Sequence, residues 1–256
     1  MLKKTDRVLV VVPARMASSR YPGKPLVFIL GLPMVEHVRR RALLAKGVDE
    51  VLVATCDLEI KKVVESFGGK AVMTSDKHER CTERVAEAAQ KFSGGIVVNV
   101  QGDEPLLSPK HIETTLQPFQ YPEVSAVSLL SPIRTEEDRN SPGVVKAICR
   151  TNGDMLFYTR SPIPHYIVSA KTQVYRETGI RAFRSVILQK YAKLAETQFE
   201  KAEAVDMLRM LEHGLPVRSA VVEGTTSGVD YLRDVAPTEE KMRKDPCQQA
   251  LLKQYL

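Results

Sequence analysis

The stretch VVVPARMASSRYPGKPL, residues 10–26, decides how the rest of the chain is read. Three valines run into Pro13, so a hydrophobic strand ends there and the chain must turn before any helix begins. The turn carries small residues and Gly23 together with Arg15, Arg20 and Lys24. Small residues let backbone N–H groups come close to a ligand, and clustered cations suit a polyanion such as a triphosphate. A solvated basic loop would have the same composition. The pattern is neither the G-x-x-x-x-G-K-[ST] phosphate loop nor the G-x-G-x-x-G dinucleotide fingerprint.

Outward from this loop, apolar runs alternate with amphipathic ones: RVLVVVPA (7–14), PMVEHVRRRALLAKG (33–47), EVLVATC (50–56), LEIKKVVESFGG (58–69) and KAVMT (70–74). This β-α-β-α-β order predicts a parallel sheet with covering helices. CTERVAEAAQKF (81–92) reads as a helix with Thr82 as its N-cap, and GGIVVNVQGDEPLL (94–107) as a buried strand that stops at Gly-Asp-Glu-Pro. Short strands are expected at VSAVSLLSP (124–132) and GVVKAICR (143–150), and GIRAFRSVIL (179–188) returns a strand to the sheet. EAVDMLRMLEHG (203–214) reads as one helix closed by Gly214, VRSAVVEG (217–224) as the last strand and residues 236–256 as a terminal helix. Residues 151–186, rich in turn formers and aromatics, form an excursion. No repeat or low-complexity linker divides residues 1–256, so one α/β domain is expected.

Composition narrows the function classes. The 256 residues carry a net charge of +6 with basic and acidic side chains interleaved, and there is no tryptophan. A basic helix with interleaved aromatics is missing, so nucleic acid is not the expected partner, whereas a phosphate-bearing small molecule explains the charge. No apolar run approaches the roughly 18 residues that cross a bilayer, and the basic start has no cleavage signal, so a cytoplasmic protein is expected. Cys56, Cys81, Cys149 and Cys247 lie far apart without zinc spacing and read as free thiols.

Ligands of open parallel sheets sit at the carboxyl ends of the strands. Asp103 in NVQGDEP (99–105) follows a buried strand and falls at the same edge as the basic loop. There it can hold a divalent cation against phosphate oxygens, or cap its own turn. Asp230 in SGVDY (227–231) is a second carboxylate from another strand end.

PARMASSRYPGKPL, KHERCTERVAEA, VVNVQGDEPLL, YTRSPIP and SGVD occur in the order found in 3-deoxy-manno-octulosonate (Kdo) cytidylyltransferases, and the chain resembles that family over about residues 6–235. The resemblance implies a three-layer α/β fold of the nucleotide-diphospho-sugar-transferase type, Rossmann-like with a mixed sheet, and a homodimer formed through the excursion. It implies an Mg²⁺-dependent enzyme that couples CTP to a small anionic acceptor and releases pyrophosphate. Pro13, Ala14, Arg15, Arg20 and Lys24 would then hold the nucleotide phosphates, with Arg15, Lys24 and Asp103 catalytic. Thr82, Glu83, Arg84 and Gln101 would lie along the nucleotide, and Asp103 and Asp230 would bind the metal. Gln101 and Arg160 would face the acceptor.

Three departures fall mostly on the acceptor side. Where the family carries His-x-Gly-Ile-Tyr, this chain reads ETGIR, with Glu177 for the His and Arg181 for the Tyr. VDMLR (205–209) replaces Leu-Glu-Gln-Leu-Arg, which puts Asp206 in the place of the Glu, and Cys81 stands where Gly is common. Glu177, Arg181 and Asp206 are therefore expected to contact the acceptor, and the acceptor itself is expected to be Kdo or another anionic molecule.

Overall fold

The computed structural model describes residues 7–17, 21–167, 172–224 and 228–255. Strand β1 (Arg7–Pro13) is followed by a single 3₁₀ turn (Lys24–Leu26) and a small hairpin of β2 (Phe28–Ile29) and β3 (Leu32–Pro33). The chain continues through α1 (Met34–Leu43), β4 (Glu50–Thr55), α2 (Leu58–Ser66), β5 (Lys70–Met73), α3 (Cys81–Ala88), β6 (Gly95–Asn99) and α4 (Pro109–Leu116). Next come β7 (Ala126–Pro132), α5 (Glu136–Asn140), β8 (Lys146–Cys149), β9 (Met155–Thr159), β10 (Tyr175–Arg184) and α6 (Ser185–Tyr191). The last elements are α7 (Gln198–Glu203), α8 (Met207–Glu212), β11 (Arg218–Val221), α9 (Val235–Lys244) and α10 (Pro246–Tyr255).

The main sheet runs β11-β7-β10-β6-β1-β4-β5, with β8 attached to β10 and β9 to β8. β1 pairs in parallel with β4 and β6, whereas β10 lies antiparallel between β6 and β7. The sheet is thus mixed, not wholly parallel as the β-α alternation alone suggests, because β10 enters from the excursion without a crossover helix. Alternation along β1 separates the two helical layers. Val8, Val10 and Val12 pack with Val35 and Val38 of α1, Ile60 of α2 and Ile112 of α4. Leu9 and Val11 pack on the other face with Val85 of α3, Leu188 of α6 and Leu208 of α8. A strand buried on both faces reads as a continuous apolar run, which is why residues 8–12 show no polar alternation.

Four sequence expectations are corrected. The segment 179–188 is not one strand: β10 starts earlier, at Tyr175, and Ser185 opens α6. The helix expected over 203–214 shortens to α8, because Ala204, at a left-handed φ of 52°, ends the preceding α7 and the chain restarts at Met207. Thr82 does not cap α3, whose N-cap position is Arg80, because its hydroxyl donates to the Asp206 carboxylate at 2.6 Å. The terminal helix divides at Asp245, as a following proline requires. Among the described residues no helix is long and apolar enough to cross a membrane.

His37 of α1 supplies a pH test of the fold. It is fully buried, with Nε2 2.6 Å from the Ile29 carbonyl oxygen. Burial, reinforced by Arg41 and Arg40, pushes its pKa down to about 4. The unfolded chain therefore takes up the proton first as pH falls, and stability drops between the usual histidine value and about pH 4. The loss expected from this group is about 3 kcal/mol. Urea unfolding at pH 7 and pH 4.5 should show it, and His37→Gln should flatten that slope.

Candidate active site

The carboxyl ends of β1 and β6 meet at one edge of the sheet. Val100 N–H donates to the Val11 carbonyl, carrying the register of the β1–β6 pair past the strand end. Gly102 then passes so close to β1 that a Cβ there would sit 2.6 Å from the Pro13 carbonyl oxygen. No other residue fits this crossing, which explains the Gly in NVQGDEP. The crossing delivers Asp103 to the basic loop. Lys24, itself almost buried at the start of the 3₁₀ turn, places Nζ 2.6 Å from Asp103 Oδ2 and 3.4 Å from Asp230 Oδ1. Asp230 arrives because Val229 N–H donates to the Asp103 carbonyl at 2.9 Å. Two carboxylates separated by more than a hundred residues of sequence thus converge on one ammonium group.

A cleft of about 280 Å³ opens beside this trio. Pro13, Ala14, Arg15 and Lys24 form one wall, and Gln101 and Asp103 form its floor. Met16 N–H donates to Asp57 Oδ2 at 2.8 Å, which fixes the start of the basic loop above the cleft. Arg20 lies outside the described residues. The opposite wall is the turn into α3, with His78, Glu79, Arg80 and Cys81, backed by Arg84. Arg84 is buried, donating from Nη1 to Thr74 Oγ1 at 2.5 Å and to the Ser75 carbonyl at 3.1 Å.

A family model described as cytidylyltransferase matches residues 9–220. The chain is 46% identical over 240 residues to the 3-deoxy-manno-octulosonate cytidylyltransferase of Myxococcus xanthus, covering 93% of this chain and 97% of that one. It is 40% identical over 225 residues to the enzyme of the same description from Escherichia coli, with 88% and 92% covered. The chain belongs to the 3-deoxy-manno-octulosonate cytidylyltransferase family. It is accordingly a nucleotidyltransferase with a nucleotide-sugar-transferase-like fold. A solved CMP:2-keto-3-deoxy-manno-octonic acid synthetase, described as complexed with CTP, superposes with a TM-score of 0.89 at 38% identity over 93% of this chain and 99% of that one.

Within this cytidylyltransferase the other expected site residues divide. Thr82 is fully buried below the cleft, bonded to Asp206, and Glu83 is drawn back to Arg209 at 2.9 Å. Arg160 does not line the cleft; its Nε donates to the Glu203 carbonyl at 2.7 Å and its Nη1 to the Pro142 carbonyl at 2.9 Å. Glu177, Arg181 and Asp206 are not open contacts but one enclosed network. Arg181 Nε donates to Glu177 Oε1 at 2.6 Å and its Nη1 to Asp206 Oδ1, with side-chain exposures of 7% for Arg181, 4% for Glu177 and 6% for Asp206. Burial pushes the Asp206 carboxyl up, but Arg181 and the Thr82 hydroxyl outweigh it and hold the group below the usual aspartate range.

The bulge in β10 creates this arrangement. Glu177 faces Leu130 of β7 and Arg181 faces Ser128, so three residues of β10 span the place of one in β7. Such irregularities re-aim side chains beside active sites, and here the bulge carries the carbonyl of Gly179 to Gln101. The residues that sequence reading missed are His78, Glu79 and Arg80. His78 hydrogen-bonds Glu87, and a polar turn between a strand and a helix at the ligand edge was the available signal.

Proposed function

We propose that the enzyme transfers CMP from CTP to Kdo, with Mg²⁺ as cofactor, in the cytoplasm and as a homodimer. The observation that carries this is the Lys24–Asp103–Asp230 convergence at the head of a cleft walled by Arg15. Hard carboxylate oxygens from two loops fit a magnesium ion, which takes its remaining positions from water and phosphate. Among the described residues no group of three or more metal-ligating side chains is gathered, so the protein offers this ion a partial shell that a triphosphate completes. When bound, the metal supplies charge neutralisation at the transferring phosphoryl group.

Arg15 and Lys24 bind and orient the triphosphate, and the wall formed by His78 and Arg84 receives the nucleoside end. Gln101, which lines the cleft, meets the acceptor. A hydroxyl oxygen of the acceptor forms the new bond to the α-phosphorus in line with the bond to the leaving pyrophosphate, which departs with its electron pair, while the hydroxyl proton is released to solvent. No side chain need become a covalent intermediate, so catalysis rests on positioning and electrostatics. The four free cysteines suit a reducing compartment. Exposed Leu156 and Phe199, at the excursion and the helix beneath it, suit contact with a second copy.

A second acceptor is favoured by one observation, the presence of Glu177 and Arg181 where the family pattern has His and Tyr, whereas the pairing of the two with each other supports Kdo. Pyrophosphate release with Mg²⁺ and CTP, measured against Kdo, its 8-amino analogue, a nonulosonic acid and simple phosphonates, separates the readings. The expected result is the highest kcat/KM with Kdo. Turnover confined to another acceptor would reassign the substrate.

A further inference from the structure

The direction of the hydrogen bonds around Gln101 can be followed from charge alone. Asp206 is ionised beside Arg181 and can only accept, and it accepts from the Thr82 hydroxyl at 2.6 Å and from the Cys81 thiol at 3.6 Å. Burial and the neighbouring Asp206 raise the thiol pKa, so the thiol keeps the proton it donates. With that proton committed, the sulfur offers only lone pairs. It receives Asn99 Nδ2 at 3.6 Å and Gln101 Nε2 at 3.3 Å. The Gly179 carbonyl, also an acceptor only, lies 3.5 Å from the same Nε2. Gly179 reaches this place because its φ is +81° and because a Cβ there would press to 3.1 Å on Gln101 Cγ.

Two acceptors therefore hold the NH₂ half of the Gln101 amide against the protein, leaving the carbonyl Oε1 for a ligand in the cleft that Gln101 lines. We propose that Cys81 is a positioning residue that fixes the Gln101 amide, so that the site presents a carbonyl oxygen and selects its acceptor through a hydroxyl group instead of a carboxylate oxygen. The proposal rests on the acceptor assignment above, and it names the hydrogen-bond polarity of that subsite. Sites built to pair one donor reject molecules that lack it more strongly than apolar pockets reject a size change.

Steady-state kinetics with Mg²⁺, CTP and Kdo test it on four proteins. Cys81→Ser keeps a donor and an acceptor and should stay within about threefold of the wild type. Cys81→Ala should lower kcat/KM for Kdo about tenfold while the KM for CTP moves less than twofold. Gln101→Glu, which sets an oxygen against two acceptors, should lower it about a hundredfold. The Gln101 side-chain NH₂ resonances, assigned by their loss in Gln101→Glu, should move in Cys81→Ala and hold in Cys81→Ser. Unmoved resonances in Cys81→Ala, or a rise in both KM values together, would overturn the proposal. If the wild type does not turn over Kdo, the acceptor assignment falls and the resonances alone decide the role of Cys81.

Discussion

Asp103→Ala is expected to lower turnover by about 10²–10³-fold at saturating Mg²⁺ while leaving the fold in place. Its side chain is about one-third exposed and belongs to a loop beyond β6, so little packing is lost. The structural role of residue 103 is carried by its backbone, whose carbonyl receives Val229 N–H and survives the substitution. Lys24 keeps Asp230 as a partner at 3.4 Å, so the almost buried ammonium is not stranded. What disappears is one of the two carboxylates that converge on Lys24, the pair proposed to hold the metal. Thermal melts should agree with the wild type within a few degrees, and a near-normal rate at high Mg²⁺ would remove Asp103 from the metal assignment.

Arg181→Met has the second large effect, on stability. Arg181 bridges Glu177 and Asp206, and both carboxylates are more than nine-tenths buried. Deleting one partner of a buried ionic network strands the others and costs about 3–5 kcal/mol. For a chain of this length that is a fall in Tm of about 10 °C. The pH dependence has a definite sign. In the wild type the Asp206 carboxyl is held below its unfolded value, so its contribution is present above that value and is lost only as pH falls through the lower folded one. In the variant burial remains without the cation, and the folded pKa rises above the unfolded value. The stability gap between the two proteins is therefore widest at neutral pH and narrows on acidification. Equal melting temperatures, or a gap that stays constant from pH 8 to pH 5, would contradict the buried network.

What the sequence made legible follows from the range of the interactions involved. Val8 to Val12 and the amphipathic runs after them report local periodicity, so β1, α1, β4, α2 and β5 could be read directly. Lys24 and Asp103 could be placed together because strand ends of a parallel sheet share an edge. The antiparallel insertion of β10 could not, since it depends on which strands the excursion joins. The enclosure of Arg181 was also hidden. Its partner Asp206 comes from the break between α7 and α8, where an αL residue interrupts a helical pattern, and Glu177 lies across a bulge. Asp206 accepts from Thr82 and Cys81 at the start of α3, and the Cys81 sulfur in turn accepts from Gln101, a chain of contacts that no local pattern announces.

The transfer of CMP to Kdo is tested most directly by ³¹P NMR of the purified chain mixed with CTP, Mg²⁺ and Kdo. A new phosphodiester resonance of the CMP conjugate is expected to grow in equal amount with pyrophosphate, and neither signal is expected when Mg²⁺ is withheld. Release of CMP without a conjugate, or CTP that persists unchanged beside Kdo, would contradict it.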